Sequence, residues 1–258
     1  MRKNVKAIIA ALSASIMCAV PVAASFASTT ATSITASAAY GDWNNTPDVI
    51  ADASSASFLG ENYVIGNALV YTYNNSDMTA TFRGRYNPIK NVVLPDKIRV
   101  NGRIYEVTEI GIEANYHSTS LSSFTAGKYL TKIDARAFKE SGLSSFVSNA
   151  KEITIDNDAF LNCKSLRTVK LPGKSKNGNT NLLEDRAFDG CTALTTVQFY
   201  CNDGSNYNTA VYMGRNAFRG CTKLTKCTSD NRRMLNIFND TFPNINNVNT
   251  SGFFVSYR

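Results

Sequence analysis

One short pattern of residues occurs five times between residues 110 and 227: an apolar residue, three variable residues, alanine, usually phenylalanine, and then Leu-x-x-apolar. The copies are IGIEAN…LSSF (110–124), IDARAF…LSSF (133–146), IDNDAF…LRTV (155–169), LEDRAF…LTTV (183–197) and MGRNAF…LTKC (213–227). Self-similarity at a period of roughly 20–50 residues indicates a solenoid, because each unit buries its apolar face only against its neighbours. Such an array presents a long surface and rarely encloses a catalytic pocket.

Two parts of the repeat predict how each coil packs. The Leu-x-x-apolar segment alternates inward and outward residues, as a strand with one buried face requires, and Val169 with Leu171 continues this alternation. The alanine of each Ala-Phe pair lets backbones approach. We expect the phenylalanines to stack as a core row formed by Phe138, Phe160, Phe188 and Phe218. The first copy has Asn115 at this position, as terminal repeats often depart from the pattern.

The pattern I-x-x-x-A-F-x-x-C-x-x-L-x-x-V, which ends in Leu-Pro in the third copy, resembles the BspA-type leucine-rich repeat of bacterial surface proteins. Residues 71–111 are similar to the β-rich cap that commonly opens such arrays, and their Asn101-Gly102 pair is a strong hairpin signal. The resemblance covers about residues 68–242. It implies an α+β, mostly β solenoid: a leucine-rich repeat array of about five coils with an N-terminal β-hairpin cap.

The N-terminus has the features of a secretory signal. Arg2, Lys3 and Lys6 precede an apolar run over residues 7–22, and small residues follow. That run is shorter than the roughly 20 residues that a membrane span needs. We therefore predict an exported protein, either free outside the cell or held non-covalently at its surface. The predicted segments are a signal peptide (1–38), a Ser/Ala-rich linker (39–57), a β-rich cap (58–108), the solenoid (109–242) and a C-terminal tail or cap (243–258).

The charge of the chain argues against some classes of partner. The formal net charge is +7, from 27 basic and 20 acidic residues, and the surplus is spread along the sequence. A nucleic-acid-binding protein would normally cluster its lysines and arginines on one face. We expect no nucleic-acid partner and no stable membrane insertion. Attraction to anionic polysaccharide or wall polymers stays open beside an ordinary solvated surface.

Five cysteines follow the predicted signal, and an odd number cannot all pair within one chain. Cys163, Cys191 and Cys221 share one repeat position, and Cys227 takes the buried strand position of the fifth copy. We predict that these four are buried thiols. Cys201, in the loop after the fourth strand, is the one expected to be reactive or paired.

The sequence offers little for catalysis. Its single histidine, His117, lies in a turn of the most irregular repeat, and the chain has no G-x-S-x-G nucleophile elbow. The aspartates of the repeats occupy variable positions and lack calcium-loop spacing, and no Cys/His set has zinc-ligand spacing. We predict a non-enzymatic protein with no catalytic residue, no metal site and no cofactor.

Two surfaces are candidates for binding. The first is the outward side of the stacked strands, which we call the strand face; its candidate residues are Ser123, Ser145, Thr168, Lys170, Thr196, Gln198 and Lys226. An exposed pleat with no ligand would also favour serine and threonine. The second is the pair of insertions at residues 174–181 and 201–212; its candidate residues are Tyr207 and Tyr212 in the second insertion and Tyr200 just before it. Exposed tyrosines can stack on sugars, although ordinary loops have the same composition.

These features favour binding over catalysis. The family resemblance implies adhesion to host or neighbouring-cell proteins, which gives a non-enzymatic protein that binds extracellular or host proteins through the strand face. The alternative is a carbohydrate- or cell-wall-binding or scaffolding module that uses the tyrosine-bearing insertions. An exposed tyrosine cluster would favour glycans or cell-wall polymers, whereas tyrosines that pack inward would favour a protein ligand on the strand face.

Overall fold

The computed structural model describes residues 48–56, 59–173, 181–200 and 212–229, and within these ranges the regular structure is β-strand. Seventeen strands are present there. Their bounds are β1 Ile50–Asp52, β2 Ser54–Ser55, β3 Tyr63–Gly66, β4 Leu69–Asn74, β5 Thr79–Arg85, β6 Asn91–Val93, β7 Lys97–Val100, β8 Arg103–Ile110, β9 Ser123–Ala126, β10 Lys132–Ile133, β11 Ser145–Ser148, β12 Thr154–Ile155, β13 Thr168–Pro172, β14 Asn181–Leu183, β15 Thr196–Tyr200, β16 Tyr212–Met213 and β17 Lys226–Ser229. The predicted signal peptide, most of the linker and the C-terminal tail lie outside the described residues.

The N-terminal strands are mainly antiparallel. Strands β2, β3, β4 and β5 pair in that order as an antiparallel meander, and β7 and β8 form a hairpin. The hairpin turn is Asn101-Gly102, with φ angles of 49° and 79°. Two consecutive positive φ angles are characteristic of the type I′ turn, which Asn-Gly favours because neither residue strongly resists that conformation. The predicted hairpin is confirmed.

From β8 onward the chain winds as a solenoid with two parallel sheets. Strands β8, β10, β12, β14 and β16 pair in succession in the first sheet. Strands β6, β9, β11, β13, β15 and β17 pair in succession in the second sheet. Each repeat copy therefore contributes one strand to each sheet, and the predicted stacked-coil architecture is confirmed.

Strand β6 belongs to the second sheet although it lies in the segment predicted as the cap. Asn91 and Val92 pair in parallel with Ser123 and Phe124 of β9. The local sequence NVVLP (91–95) matches TVKLP (168–172) of the third copy in its apolar positions and its Leu-Pro ending. A strand of repeat type thus precedes the first of the five copies.

The repeated phenylalanines form a continuous stack in the core. Phe138 and Phe160 have ring centroids 4.9 Å apart, Phe160 and Phe188 4.7 Å, and Phe188 and Phe218 5.2 Å. The rings are nearly parallel, with interplanar angles of 4°, 9° and 4°. The predicted core row is confirmed. At the N-terminal end of this row, Asn115 is 1% exposed, and its side-chain oxygen and nitrogen have no hydrogen-bond partner among the described residues.

The shared cysteine position forms a second row. The thiols of Cys163, Cys191 and Cys221 each donate a hydrogen bond to the backbone oxygen of the core phenylalanine one coil earlier, at 2.9, 3.2 and 3.2 Å. These three cysteines and Cys227 are buried free thiols, as predicted. Burial raises the pKa of the Cys191 and Cys227 thiols, which disfavours the reactive thiolate. Cys201 lies outside the described residues.

The turn between the two strands of each coil explains the polar residues around the Ala-Phe pair. The residue directly before the alanine of each copy has a positive φ. These residues are Glu113, Arg136, Asp158, Arg186 and Asn216. The residue two places after the phenylalanine position also has a positive φ, in the left-handed region. These residues are His117, Glu140, Asn162, Gly190 and Gly220. Alternate backbone N–H groups of this turn donate to the next coil, for example from Phe160 to Ala187 at 2.8 Å. The variable positions therefore serve the backbone geometry of the turn.

The first described residue, Asp48, is fastened to the cap and the first coil. Its carboxylate accepts hydrogen bonds from the Lys97 and Lys128 ammonium groups at 2.9 and 2.7 Å and from the Tyr129 hydroxyl at 3.1 Å. The hydrogen bonds from the two lysines lower the pKa of Asp48 to about 2. These contacts hold Asp48 against the cap hairpin and the first coil.

Candidate functional site

The strand face is built by the pairing of the second sheet. Every neighbouring pair of strands is in register, so equivalent outward residues lie side by side. One outward row consists of Asn91, Ser123, Ser145, Thr168, Thr196 and Lys226. A second row consists of Val93, Thr125, Val147, Lys170 and Gln198, and Thr228 is the register partner of Gln198. All seven residues predicted for this face lie in these two rows.

The alternation of burial separates this surface from the core. In β15, Val197 and Phe199 are buried, whereas Thr196 and Gln198 are half-buried. In β13, Val169 is buried and its outward neighbour Thr168 is exposed. Parallel strands lie about 4.8 Å apart, so the six strands give a surface about 24 Å across. The face is flat and open, and suits an extended partner better than a small enclosed molecule.

A third row of outward residues lies immediately before the strands, and we call it the rim row. It consists of Lys90, Ser122, Ser144, Arg167, Thr195 and Thr225. Its hydroxyl groups bond from coil to coil: the Ser144 and Thr195 side chains donate to the Ser122 and Arg167 carbonyl oxygens at 2.8 and 3.0 Å. These bonds use the hydroxyl groups of Ser144 and Thr195. The charged residues of the rim row are Lys90 and Arg167, and both are exposed.

The charges of the strand face and rim row have one sign. Four basic residues project there, Lys90, Arg167, Lys170 and Lys226, and none of the outward positions of the six strands or of the rim row carries an aspartate or glutamate. Within the described part of the chain, no carboxylate pairs with Lys90, Arg167 or Lys226. Lys90, Arg167 and Lys226 therefore give the face positive charge that no described carboxylate neutralises.

The acidic residues of the repeats are concentrated on the first sheet and the turns, where they are paired. Arg136 bonds Glu113 at 3.2 Å, Arg186 bonds Asp158 at 2.8 Å, and Arg219 bonds Asp189. A further set joins neighbouring coils through the Lys132 ammonium group, whose partners are Glu109, Asp134 and Asp156. These pairs balance the charge on that side of the solenoid and leave the basic surplus on the strand face.

Tyr200 differs from expectation. Its position just before the tyrosine-bearing insertion predicts an exposed side chain, but it is only 1% exposed, and its hydroxyl lies 2.7 and 2.8 Å from the carbonyl oxygens of Ser148 and Ala150. The expectation of an exposed Tyr200 is therefore wrong, because its hydroxyl is held by backbone carbonyl groups at the end of β11 and just after it. Its ring lies 5.3 Å from the Lys170 ammonium group. Tyr207 and the side chain of Tyr212 are outside the described part of the structure.

We expect Tyr200→Phe to lower the free energy of unfolding by about 1–3 kcal/mol, because the single hydroxyl proton shared by two buried carbonyl oxygens is lost. Urea unfolding of both proteins measures the difference. The matched control is Tyr71→Phe, since the Tyr71 hydroxyl is buried and has no hydrogen-bond partner among the described residues. Removing that hydroxyl should be neutral or stabilising. Equal losses for the two variants would contradict the role assigned to the Tyr200 hydroxyl.

The single histidine of the chain lies on an exposed turn. His117 is 55% exposed, and its Nε2 lies 3.0 Å from a Glu140 carboxylate oxygen. Both belong to the left-handed turn positions described above. Across the described ranges, no group of three or more histidine, cysteine, aspartate or glutamate side chains could hold a metal ion. Nor does any helix of these ranges have the length and apolar character needed to cross a membrane.

The two parallel sheets, the short turns and the phenylalanine and cysteine rows define a solenoid of the leucine-rich repeat class. The family model described as BspA type Leucine rich repeat region matches residues 86–205 and 176–255, in six copies. The chain therefore belongs to the BspA-type leucine-rich repeat family. The first match begins before β6, in accord with the repeat-like strand found there.

Solved structures with a similar chain are also bacterial leucine-rich repeat proteins. A leucine-rich repeat protein from Bacteroides capillosus is 22% identical, with 53% of this chain and 97% of that chain covered and a TM-score of 0.46. The leucine-rich repeat protein of T. pallidum is 20% identical, with 62% and 68% covered and a TM-score of 0.46. A leucine-rich cell surface protein from Faecalibacterium prausnitzii is 21% identical, with 66% and 55% covered and a TM-score of 0.39. No curated protein matches the chain.

Proposed function

We propose that this chain is an exported, non-enzymatic protein of adhesion type that binds extracellular proteins through the strand face. The observation that carries the proposal is the open, in-register face of six parallel strands. Its outward side chains are polar except for Val93 and Val147, and no described segment packs over them. Stacked repeats characteristically use such extended surfaces for protein recognition.

Membership of the BspA-type family supports a surface or protein-interaction role. Export is supported by the basic and apolar residues of the predicted signal peptide, and one similar solved structure is called a cell surface protein. The burial of Tyr200 removes one of three tyrosines from the glycan-binding alternative. The protein acts outside the cell, either free in the medium or at the cell surface.

The proposal is tested with a binding panel in which the purified chain meets extracellular-matrix proteins and mucins beside bacterial and plant polysaccharides. We expect saturable binding to at least one protein. Thr196→Trp, which places a bulky uncharged side chain at the centre of the strand face, should weaken that binding at least about tenfold, a loss of about 1.4 kcal/mol. The matched control is Thr192→Trp, an exposed turn position of the same coil. Binding confined to polysaccharides, with Thr196→Trp having no effect, would contradict the proposal.

A further inference from the structure

The chemistry of the strand face changes along the array. At its N-terminal end, Val93 is 50% exposed, and Val147 projects from the same outward row two strands away. Thr125 lies between them in register. Val93 and the half-buried Val147 leave apolar area accessible to water, and covering that area with a partner is favourable. This end of the face therefore offers a small apolar surface.

The other end of the face is basic. Beginning with the strand after Val147, Arg167 and Lys170 project from the third repeat copy, and Lys226 projects from the fifth. Arg167 and Lys226 are exposed and have no carboxylate partner among the described residues. Lys170 is half-buried, with its ammonium group over the ring of the buried Tyr200, which restricts the side chain to the face. At Arg167 and Lys226, a partner with negative charge would meet cations that no described carboxylate neutralises.

An apolar end and a basic end on the same face favour a polypeptide as the partner. Anionic polysaccharides would satisfy the cations but carry no apolar side chains to cover Val93 and Val147. Sugar rings usually bind against exposed aromatic faces, and the described outward positions of this face contain no aromatic residue. A polypeptide can present carboxylates and apolar side chains together. About seven extended residues, at about 3.3 Å each, span the six strands.

We propose that the strand face binds an acidic protein segment, rich in aspartate and glutamate, whose apolar side chains contact Val93 and Val147 and whose carboxylates pair with Arg167, Lys170 and Lys226. This inference rests on the proposed function and specifies the partner of the same face. Exposed ion pairs are screened at distances beyond about 8 Å at physiological ionic strength. Binding should therefore weaken steadily as salt is added.

The test uses three fluorescein-labelled peptides of about twelve residues, in which leucine alternates with glutamate, glutamine or lysine. Fluorescence anisotropy with the full chain should show tightest binding to the glutamate peptide. The variant Arg167→Gln/Lys170→Gln/Lys226→Gln should bind it about tenfold more weakly, which is the sum expected of a few exposed pairs. The control Arg103→Gln/Arg136→Gln/Arg215→Gln removes the same charge from other surfaces and should change affinity less than about twofold. Unchanged unfolding midpoints would show that both variants are folded.

A charge reversal gives the sharpest outcome. Arg167→Glu/Lys170→Glu should transfer the preference from the glutamate peptide to the lysine peptide. Equal binding of the glutamate and glutamine peptides, or equal losses in the two glutamine variants, would overturn the inference. Binding of heparin without binding of the glutamate peptide would overturn it in favour of an anionic polysaccharide.

Failure of this inference can be told apart from failure of the proposed function. Suppose that Thr196→Trp abolishes binding to a protein from the panel, whereas Arg167→Gln/Lys170→Gln/Lys226→Gln does not weaken it. The strand face then binds proteins by other contacts, and only the acidic partner is excluded. If Thr196→Trp also leaves protein binding unchanged, both proposals fail.

Discussion

Replacing Phe188 with alanine is expected to lower the free energy of unfolding by about 3–5 kcal/mol. Phe188 is fully buried in the middle of the core row, with the rings of Phe160 and Phe218 at 4.7 and 5.2 Å. Its truncation leaves a cavity bounded by two stacked rings that the rigid backbone ladders prevent from closing. Small domains have total stabilities of about 5–15 kcal/mol, so this loss is a large fraction of the whole. Chemical denaturation followed by circular dichroism measures it.

The control for Phe188→Ala is Thr192→Ala in the exposed turn of the same coil, which should change stability by no more than about 0.5 kcal/mol. A loss below about 1 kcal/mol for Phe188→Ala would contradict the core row as a main source of stability. A loss that is equally large in Thr192→Ala would show that the coil itself is poorly formed.

Gly142→Ala is expected to cost about 1–3 kcal/mol, although it adds a single methyl group. The segment between Phe138 and Leu143 has one residue fewer than the corresponding segment between Phe160 and Leu166. The shorter chain brings Gly142 against the previous coil, where an added Cβ would lie 2.1 Å from the Thr119 carbonyl oxygen. Backbone cannot move aside as a flexible side chain would, so the two coils must separate locally.

A matched substitution tests the cause. Ser165→Ala changes the equivalent turn of the third copy, which has the full length, and Ser165 is exposed. Its melting temperature should stay within about 2 °C of the unchanged protein, whereas that of Gly142→Ala should fall by about 3–8 °C. Similar melting temperatures for the two variants would contradict the close approach at Gly142.

Much of the fold could be predicted because the repeat pattern occurs five times in the sequence. A phenylalanine in one copy is weak evidence, but four at the same position imply one environment, and the structure stacks them accordingly. The same reasoning assigned Cys163, Cys191 and Cys221 to the core. The Asn101-Gly102 hairpin was predictable for a different reason, since its turn depends on local backbone preferences alone.

The repeat pattern does not predict strand β6 or the burial of Tyr200. Strand β6 lacks the Ala-Phe pair that identifies a copy, and only the NVVLP match to residues 168–172 could have indicated it. For Tyr200, the polar insertion that follows it predicts an exposed side chain. Its register partner is the buried Pro172, and the carbonyl groups that bind its hydroxyl lie about fifty residues earlier in the chain. No local pattern carries that information.

The candidate site was predictable in outline and not in its chemistry. The outward rows followed from strand alternation, and all seven predicted residues lie in them. The net charge of +7 indicated only a modest, distributed surplus. Segregation of charge depends on which residues share a face and which are paired. Arg136 and Arg186 are neutralised by carboxylates of neighbouring coils, whereas Arg167 is not.

The most direct test of the strand face as the binding surface is a lysine-acetylation footprint, read by mass spectrometry, of the chain alone and with the protein ligand selected by the binding panel. We predict that the ligand protects Lys90, Lys170 and Lys226, which lie on the strand face and its rim. Lys132 and Lys139, on the first sheet and the turns, should react equally with and without ligand. Protection of Lys132 and Lys139 with full reactivity of the strand-face lysines would contradict the account and place the ligand on the opposite side of the solenoid.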